Sequence, residues 1–194
     1  PESSCGYNPL LFGNATELKD KLVGSFEWSE PYYKKISERV LLTLLLGLVW
    51  LRDNGKSVPT LDDLSAALAS ASNMVTLSEL IENTTIKDSI RELATGFTKD
   101  FYQDLESLRT ELTLLTKSEF GIIFNKSDPI NVLQSIKTKK VILVNLDGQT
   151  FNESAKKFGR LLLSDLRSAS GAIVTNLDES ERPKFTVIVD EFAD

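Results

Sequence analysis

Histidine is absent from all 194 residues and cysteine occurs once, at Cys5. Without histidine there is no Ser-His or Cys-His catalysis, no histidine general base and no zinc site with a histidine ligand. With a single cysteine no internal disulfide and no thiolate metal cluster can form, so a reducing compartment is the simplest home. Long apolar runs are also missing. The longest, Val40 to Leu51, is too short for the roughly 20 apolar residues of a bilayer-spanning helix and reads as a buried core helix. PESSCGYNPL carries neither a basic region nor an apolar one, so no signal peptide is expected. The opening Pro1 and the closing Glu191-Phe192-Ala193-Asp194 give the chain the look of a piece excised from something longer. Basic residues are in deficit, 22 against 28 acidic, for a formal net charge of -6. A surface built mainly to track phosphates is therefore disfavoured, and any nucleic-acid contact must be local.

What is present is apolar sequence at regular spacing, 41% of the chain, enough for a soluble globular core. The first two thirds follow a helical period. Asn14 with Glu17 forms a capping box before Leu18, Leu22 and Phe26. Ser29 and Pro31 suit the start of a second helix, whose Ile36, Val40, Leu44, Leu48 and Leu51 run to the stop signal Asn54-Gly55. Thr60 with Asp63, Thr76 with Glu79 and Thr85 with Asp88 open three short helices. A long sixth helix is expected from about Thr98 to Lys117, striped by Phe101, Leu105, Leu108, Leu112 and Leu115.

After Phe120 the pattern changes. Asp128-Pro129 caps a short helix ending near Ile136, and Lys140 to Leu146 is a nearly continuous aliphatic run of strand length. A helix from Asn152 to about Ala169, with Ala155, Phe158, Leu162 and Leu166 inward, leads through a polar loop to a second such run, Phe185 to Val189. Two aliphatic strands joined by a helical crossover describe a parallel α/β sheet. The expected fold class is thus α/β but predominantly helical, an all-α domain beside part of a parallel sheet.

Asp190 and Glu191 close the second run, at the strand edge where open α/β sheets bind ligands. An aliphatic strand ending in Asp-Glu is the Walker B pattern, in which the first carboxylate faces the nucleotide's Mg²⁺ and the second polarises the attacking water. Gly55-Lys56-Ser57 is not its phosphate loop: the motif needs glycine at position 50, where Trp50 stands, and the preceding element is a helix. This stretch of chain by itself is therefore expected to lack ATPase activity. Two charge groupings complete the inventory. The block from Asp62 to Glu111 is rich in acids, which favours protein docking over phosphate tracking. Lys156, Lys157, Arg160 and Arg167 form the one basic grouping, with 156, 160 and 167 on a shared helical face.

Tyr7-Asn8-Pro9-Leu10, EWSEPYY at Glu27 to Tyr33, SDPINVLQSIKTKKVILVNL, KKFGRLLLSDLRSA and VIVDEFAD follow one another in an order that resembles the conjugative coupling proteins of type IV secretion. These are bacterial DNA-transfer ATPases related to FtsK-type translocases. The resemblance implies a RecA-like motor domain, represented here by residues 1–28 and 118–194, interrupted by an inserted all-α domain at 29–117. It further implies ATP and Mg²⁺ as cofactors, Asp190 acting on Mg²⁺ through water, and Glu191 as the catalytic glutamate. The expected partners are relaxosome or relaxase proteins, the transferred DNA, secretion-channel components and identical subunits in a hexamer. The expected location is the cytoplasmic side of the bacterial inner membrane. Two alternatives remain open, a helical protein-binding adaptor without catalysis and another FtsK-type or secretion ATPase.

Overall fold

Local sequence sets the helix starts. In the computed structural model, which describes residues 4–119, 121–146 and 152–190, helix α1 (Ala15–Ser25) opens on the expected box. The Asn14 side chain accepts from the Glu17 amide at 3.0 Å, and the Glu17 carboxylate accepts from the Asn14 amide at 3.1 Å. Helix α2 (Pro31–Asp53) starts with Pro31 in its first turn, where the missing N–H costs nothing. It ends at Asn54, with Gly55 at φ 65°, a left-handed value that glycine adopts without strain. Val40, Leu41, Leu44, Leu45, Leu48 and Leu51 are all buried, as the breadth of the apolar stripe requires. Helix α3 (Leu61–Ala67) has the reciprocal Thr60–Asp63 box.

Elsewhere a different residue won the cap. Helix α4 (Ala71–Glu79) starts at Ser70 rather than Thr76, because Ser70 accepts from the Asn73 amide while Thr76 bonds back to the Ser72 carbonyl inside the helix. Helix α5 (Thr84–Thr95) is capped by Asn83 rather than Thr85. Asn131 rather than Asp128-Pro129 caps α9 (Val132–Lys137), since Pro129 is held in an isolated parallel bridge to Gly6. The expected long sixth helix is two, α6 (Lys99–Asp104) and α7 (Glu106–Thr116), broken at Leu105. No glycine or proline marks the break. It lets α6 follow an edge-to-face cluster of Phe97, Phe101 and Tyr102 while Leu105 and Leu108 stay in the core. Helix α8 (Gly121–Phe124) is a single turn, and α10 (Asn152–Asn176) runs beyond Ala169 into a 3₁₀ turn at Glu179–Glu181.

The larger correction concerns the sheet. Residues 140–146 and 182–189 carry no regular secondary structure, and no strand forms among the described residues. Val141 is 94% exposed, Leu143 90% and Ile188 89%, where a doubly covered parallel strand would bury them. A strand is completed by the backbone groups of its neighbours, and neither run has a pairing partner among the described residues, whatever its own propensity. The fold observed is therefore predominantly helical, and the expected parallel sheet is not seen among the described residues.

One hydrophobic core runs through the helices, from Tyr7 and Leu10 through α1, α2, α3, α4, α5 and α7 to Phe124, Phe158 and Leu161. At its centre Gly47 lets α2 approach α4 and α5 closely: a Cβ there would lie 2.7 Å from the terminal carbons of both Ile81 and Ile90. A second, smaller core joins Val132 and Ile136 of α9 to Ala169 and Ile173 of α10. No described helix is long and apolar enough to cross a membrane.

Candidate functional site

The Walker B candidate falls at the edge of what the structure describes. Asp190 is exposed, at the end of the unpaired run that includes Val187, Ile188 and Val189, and Glu191 lies outside the described residues. No group of three or more metal-ligating side chains occurs among the described residues. Asp190 has the chemistry to hold a hydrated Mg²⁺ through one carboxylate, as that role requires. The remaining donors that a nucleotide-bound Mg²⁺ needs are not in this set.

Gly55-Lys56-Ser57 is the turn that closes α2. The Lys56 amide bonds to the Leu51 carbonyl at 2.9 Å, and its ammonium pairs with Glu82 on the surface. Of the basic grouping on α10 only Lys157 is withdrawn from solvent; Lys156 and Arg160 are exposed beside acidic neighbours. Lys157 is buried against Glu111 at 2.9 Å, Lys156 lies 3.9 Å from Glu153, and Arg160 lies 3.6 Å from Glu27. Arg167 is exposed.

Two arrangements escaped the sequence reading. The first is a buried polar cluster around Asp165 of α10. Lys21 of α1 forms an ion pair with Asp165 and donates to the Pro9 carbonyl at 2.5 Å, while the Tyr7 hydroxyl donates to Asp165 at 2.6 Å. Burial pulls the Lys21 ammonium below its ordinary value, with Asp165 opposing that pull. Burial and then the Asp165 charge push the Tyr7 phenol well above its own. Beside the cluster, Asn8 donates to the Pro59 carbonyl and accepts from the Leu10 amide, and Arg52 donates to the carbonyls of Leu10 and Gly13. These bonds fasten the segment Tyr7-Asn8-Pro9-Leu10 to α1, α2 and α10. Each charged group is spent on a protein partner, so the cluster is a fastening rather than a ligand site. A signal for it did exist. Asp165 occupies the same helical stripe as Phe158, Leu161 and Ala169, where an acid is conspicuous.

The second arrangement is an open groove of about 480 Å³ between the start of α2 and α6, lined by Tyr32, Lys35, Ile36, Arg39, Phe101 and Asp104. Its rim combines rings with cations. The Arg39 guanidinium stands 5.6 Å from the Phe101 ring centre, within cation–π range. Tyr32 donates to Asp104 at 3.3 Å, and the carboxylate raises its phenol above the usual value. Periodicity alone assigned Ile36 and Phe101 to core stripes. Both are half-buried at the margin of the main core.

Comparison with family models, with curated proteins and with solved structures returned no match.

Proposed function

We propose that this chain is part of an ATP-driven DNA-transfer motor of the type resembling the conjugative coupling proteins of type IV secretion. In this reading residues 29–117 are the inserted all-α domain, which recruits relaxosome proteins. Residues 1–28 and 118–194 belong to a RecA-like motor that assembles as a hexamer on the cytoplasmic side of the inner membrane and passes DNA to the secretion channel. The observation that carries it is the pair of aliphatic runs on either side of α10, 140–146 and 185–189, largely exposed and without a strand partner among the described residues, with Leu146 alone packed against the main core. Exposed aliphatic surface of that extent calls for a cover, and the β-branched composition suits strands of a parallel sheet with α10 as the crossover.

ATP bound with Mg²⁺ would supply the reactive terminal phosphate. Asp190 would hold the hydrated metal through its carboxylate, and Glu191 would orient the attacking water and take its proton. The test uses the intact oligomeric protein with DNA and Mg²⁺-ATP. Glu191→Gln is expected to lower turnover by ~10²-fold or more, the scale for losing a general base, with nucleotide affinity little changed. Asp190→Asn is expected to weaken Mg²⁺-dependent binding as well. Wild-type turnover in Glu191→Gln would remove the motor reading.

A second reading, a helical protein-binding module without catalysis, is favoured by the groove between α2 and α6, whose half-buried Phe101, exposed Tyr32 and flanking cations are typical of interface anchors. It predicts that Arg39→Ala with Phe101→Ala abolishes partner binding while neither carboxylate substitution has any effect.

A further inference from the structure

Helices α9 and α10 are attached to the rest of the molecule by a different kind of interface from those inside it. Where α2 meets α4 and α5, the buried contacts are apolar, among them Leu77, Ile81 and Ile90. Where α10 meets α7 and α1, two ion pairs are buried. Lys157 and Glu111 have side chains only 6% and 10% exposed, and Lys21 and Asp165 only 4% and 14%. The Tyr7 hydroxyl adds a fifth polar group. Removing two charges from water costs about as much as their attraction returns, so such pairs add little net holding energy. On separation all four charges recover their hydration, a relief that a purely apolar contact lacks.

Helices α9 and α10 also keep a core of their own. Val132, Ile136, Ala169 and Ile173 are buried among each other, with Leu133 and Leu166 packed around them. The four buried residues of that cluster come from α9 and α10 alone, so their mutual contacts are kept if α10 leaves α1 and α7, while Leu162, which packs against both cores, gives up its contacts with the body. The chain re-enters the body through the Gly6–Pro129 bridge, where the Ile130 amide donates to the Gly6 carbonyl at 2.7 Å, so a pivot is in place.

We infer that α9 and α10 form a separable unit that swings off the helical body as one piece while the body stays folded. The surfaces uncovered are Phe158 and Leu161 on the unit and, on the body, Tyr7 and Phe124, whose rings lie 5.2 and 6.0 Å from that of Phe158. Release therefore costs free energy, but less than unfolding the body, because the apolar helix contacts around α2 are kept.

The experiment is native-state hydrogen exchange on the whole chain at low denaturant, comparing amides of Phe158 to Ile173 with those of Leu41 to Leu48. In the wild type the α10 amides should exchange together, at least ~10-fold faster than those of α2 and with a shallower denaturant dependence, because less surface is exposed. Glu111→Leu with Lys157→Met replaces one ion pair by apolar contact and should slow α10 exchange while leaving α2 unchanged. Glu111→Leu alone strands the lysine and should speed it. Exchange of α10 with the rate and denaturant slope of α2 in the wild type overturns the inference. So does a double variant in which α10 exchange is unaltered.

Discussion

Helices α2 and α10 are of similar length, 23 and 25 residues, and both are half buried, but by different chemistry. Eight residues of α2 are buried, and Ser37 is the one among them with a polar side chain. On α10 the buried stripe that includes Ala155, Phe158 and Leu161 is interrupted by Lys157 and Asp165, each matched by an opposite charge on another helix. Apolar contact is undirected and tolerates small shifts of the helix. An ion pair does not. The opposite polarity of the two pairs, a base on α10 at 157 and an acid at 165, admits one register of α10 against α7 and α1. The central helix is thus held by quantity of buried surface, and the peripheral one is placed by charge.

The largest test of this contrast is Leu44→Ala at the centre of α2. Leu44 is fully buried, and the cavity should lower global stability by about 2–5 kcal/mol in a denaturant titration. A loss under 1 kcal/mol would mean that the core around α2 is loosely packed. Next comes Gly47→Val, which brings a branched side chain against Ile81 and Ile90. Both neighbours are fully buried and have little room to move, so about 1–3 kcal/mol should be lost.

Tyr7→Phe probes the charged side of the comparison and should cost about 1 kcal/mol at neutral pH through the lost bond to Asp165. Its pH dependence is more telling. Because the folded phenol holds its proton above the ordinary value of 10.0, its contribution is complete below that pH and declines as pH rises beyond it. Lys21, displaced downward, acts in the opposite sense just below its ordinary 10.5. Stability of wild type and Tyr7→Phe measured from pH 8 upward should converge in the alkaline range. Parallel curves would show that the phenol is not the group titrating. The smallest effect is expected from Lys56→Ala, which removes one exposed ion pair with Glu82 and should alter stability by no more than about 0.5 kcal/mol.

Residues that act on their immediate neighbours were legible in the sequence. The boxes at Asn14 and Thr60, Pro31 at the head of α2 and Gly55 at its foot all act within four residues of chain, and each formed as its spacing requires. Competing caps were harder to read. Ser70 and Asn83 stand close enough to Thr76 and Thr85 that either choice obeys the local rule, and the burial of Met74 and Ile90 goes with the earlier start. For the candidate site the sequence supplied Asp190 and Glu191 as an acidic pair after an aliphatic run. It could not supply the groove, which depends on a helix break without a breaker residue.

Composition and spacing by themselves determined that this chain builds a mostly helical body, that histidine chemistry and an internal disulfide are excluded, and where most helices begin. These follow from atoms a few bonds apart, whose interactions survive in any context. Tertiary structure decided the rest. The runs at 140–146 and 185–189 have strand composition yet find no pairing partner among the described residues, because a strand's hydrogen bonds belong to its neighbours. Lys157 has the sequence of a surface cation yet is buried, because Glu111, distant along the chain, arrives opposite it. Asp165 meets Lys21 and Tyr7 for the same reason, since packing brings α10 back against α1 although more than a hundred residues of chain separate them.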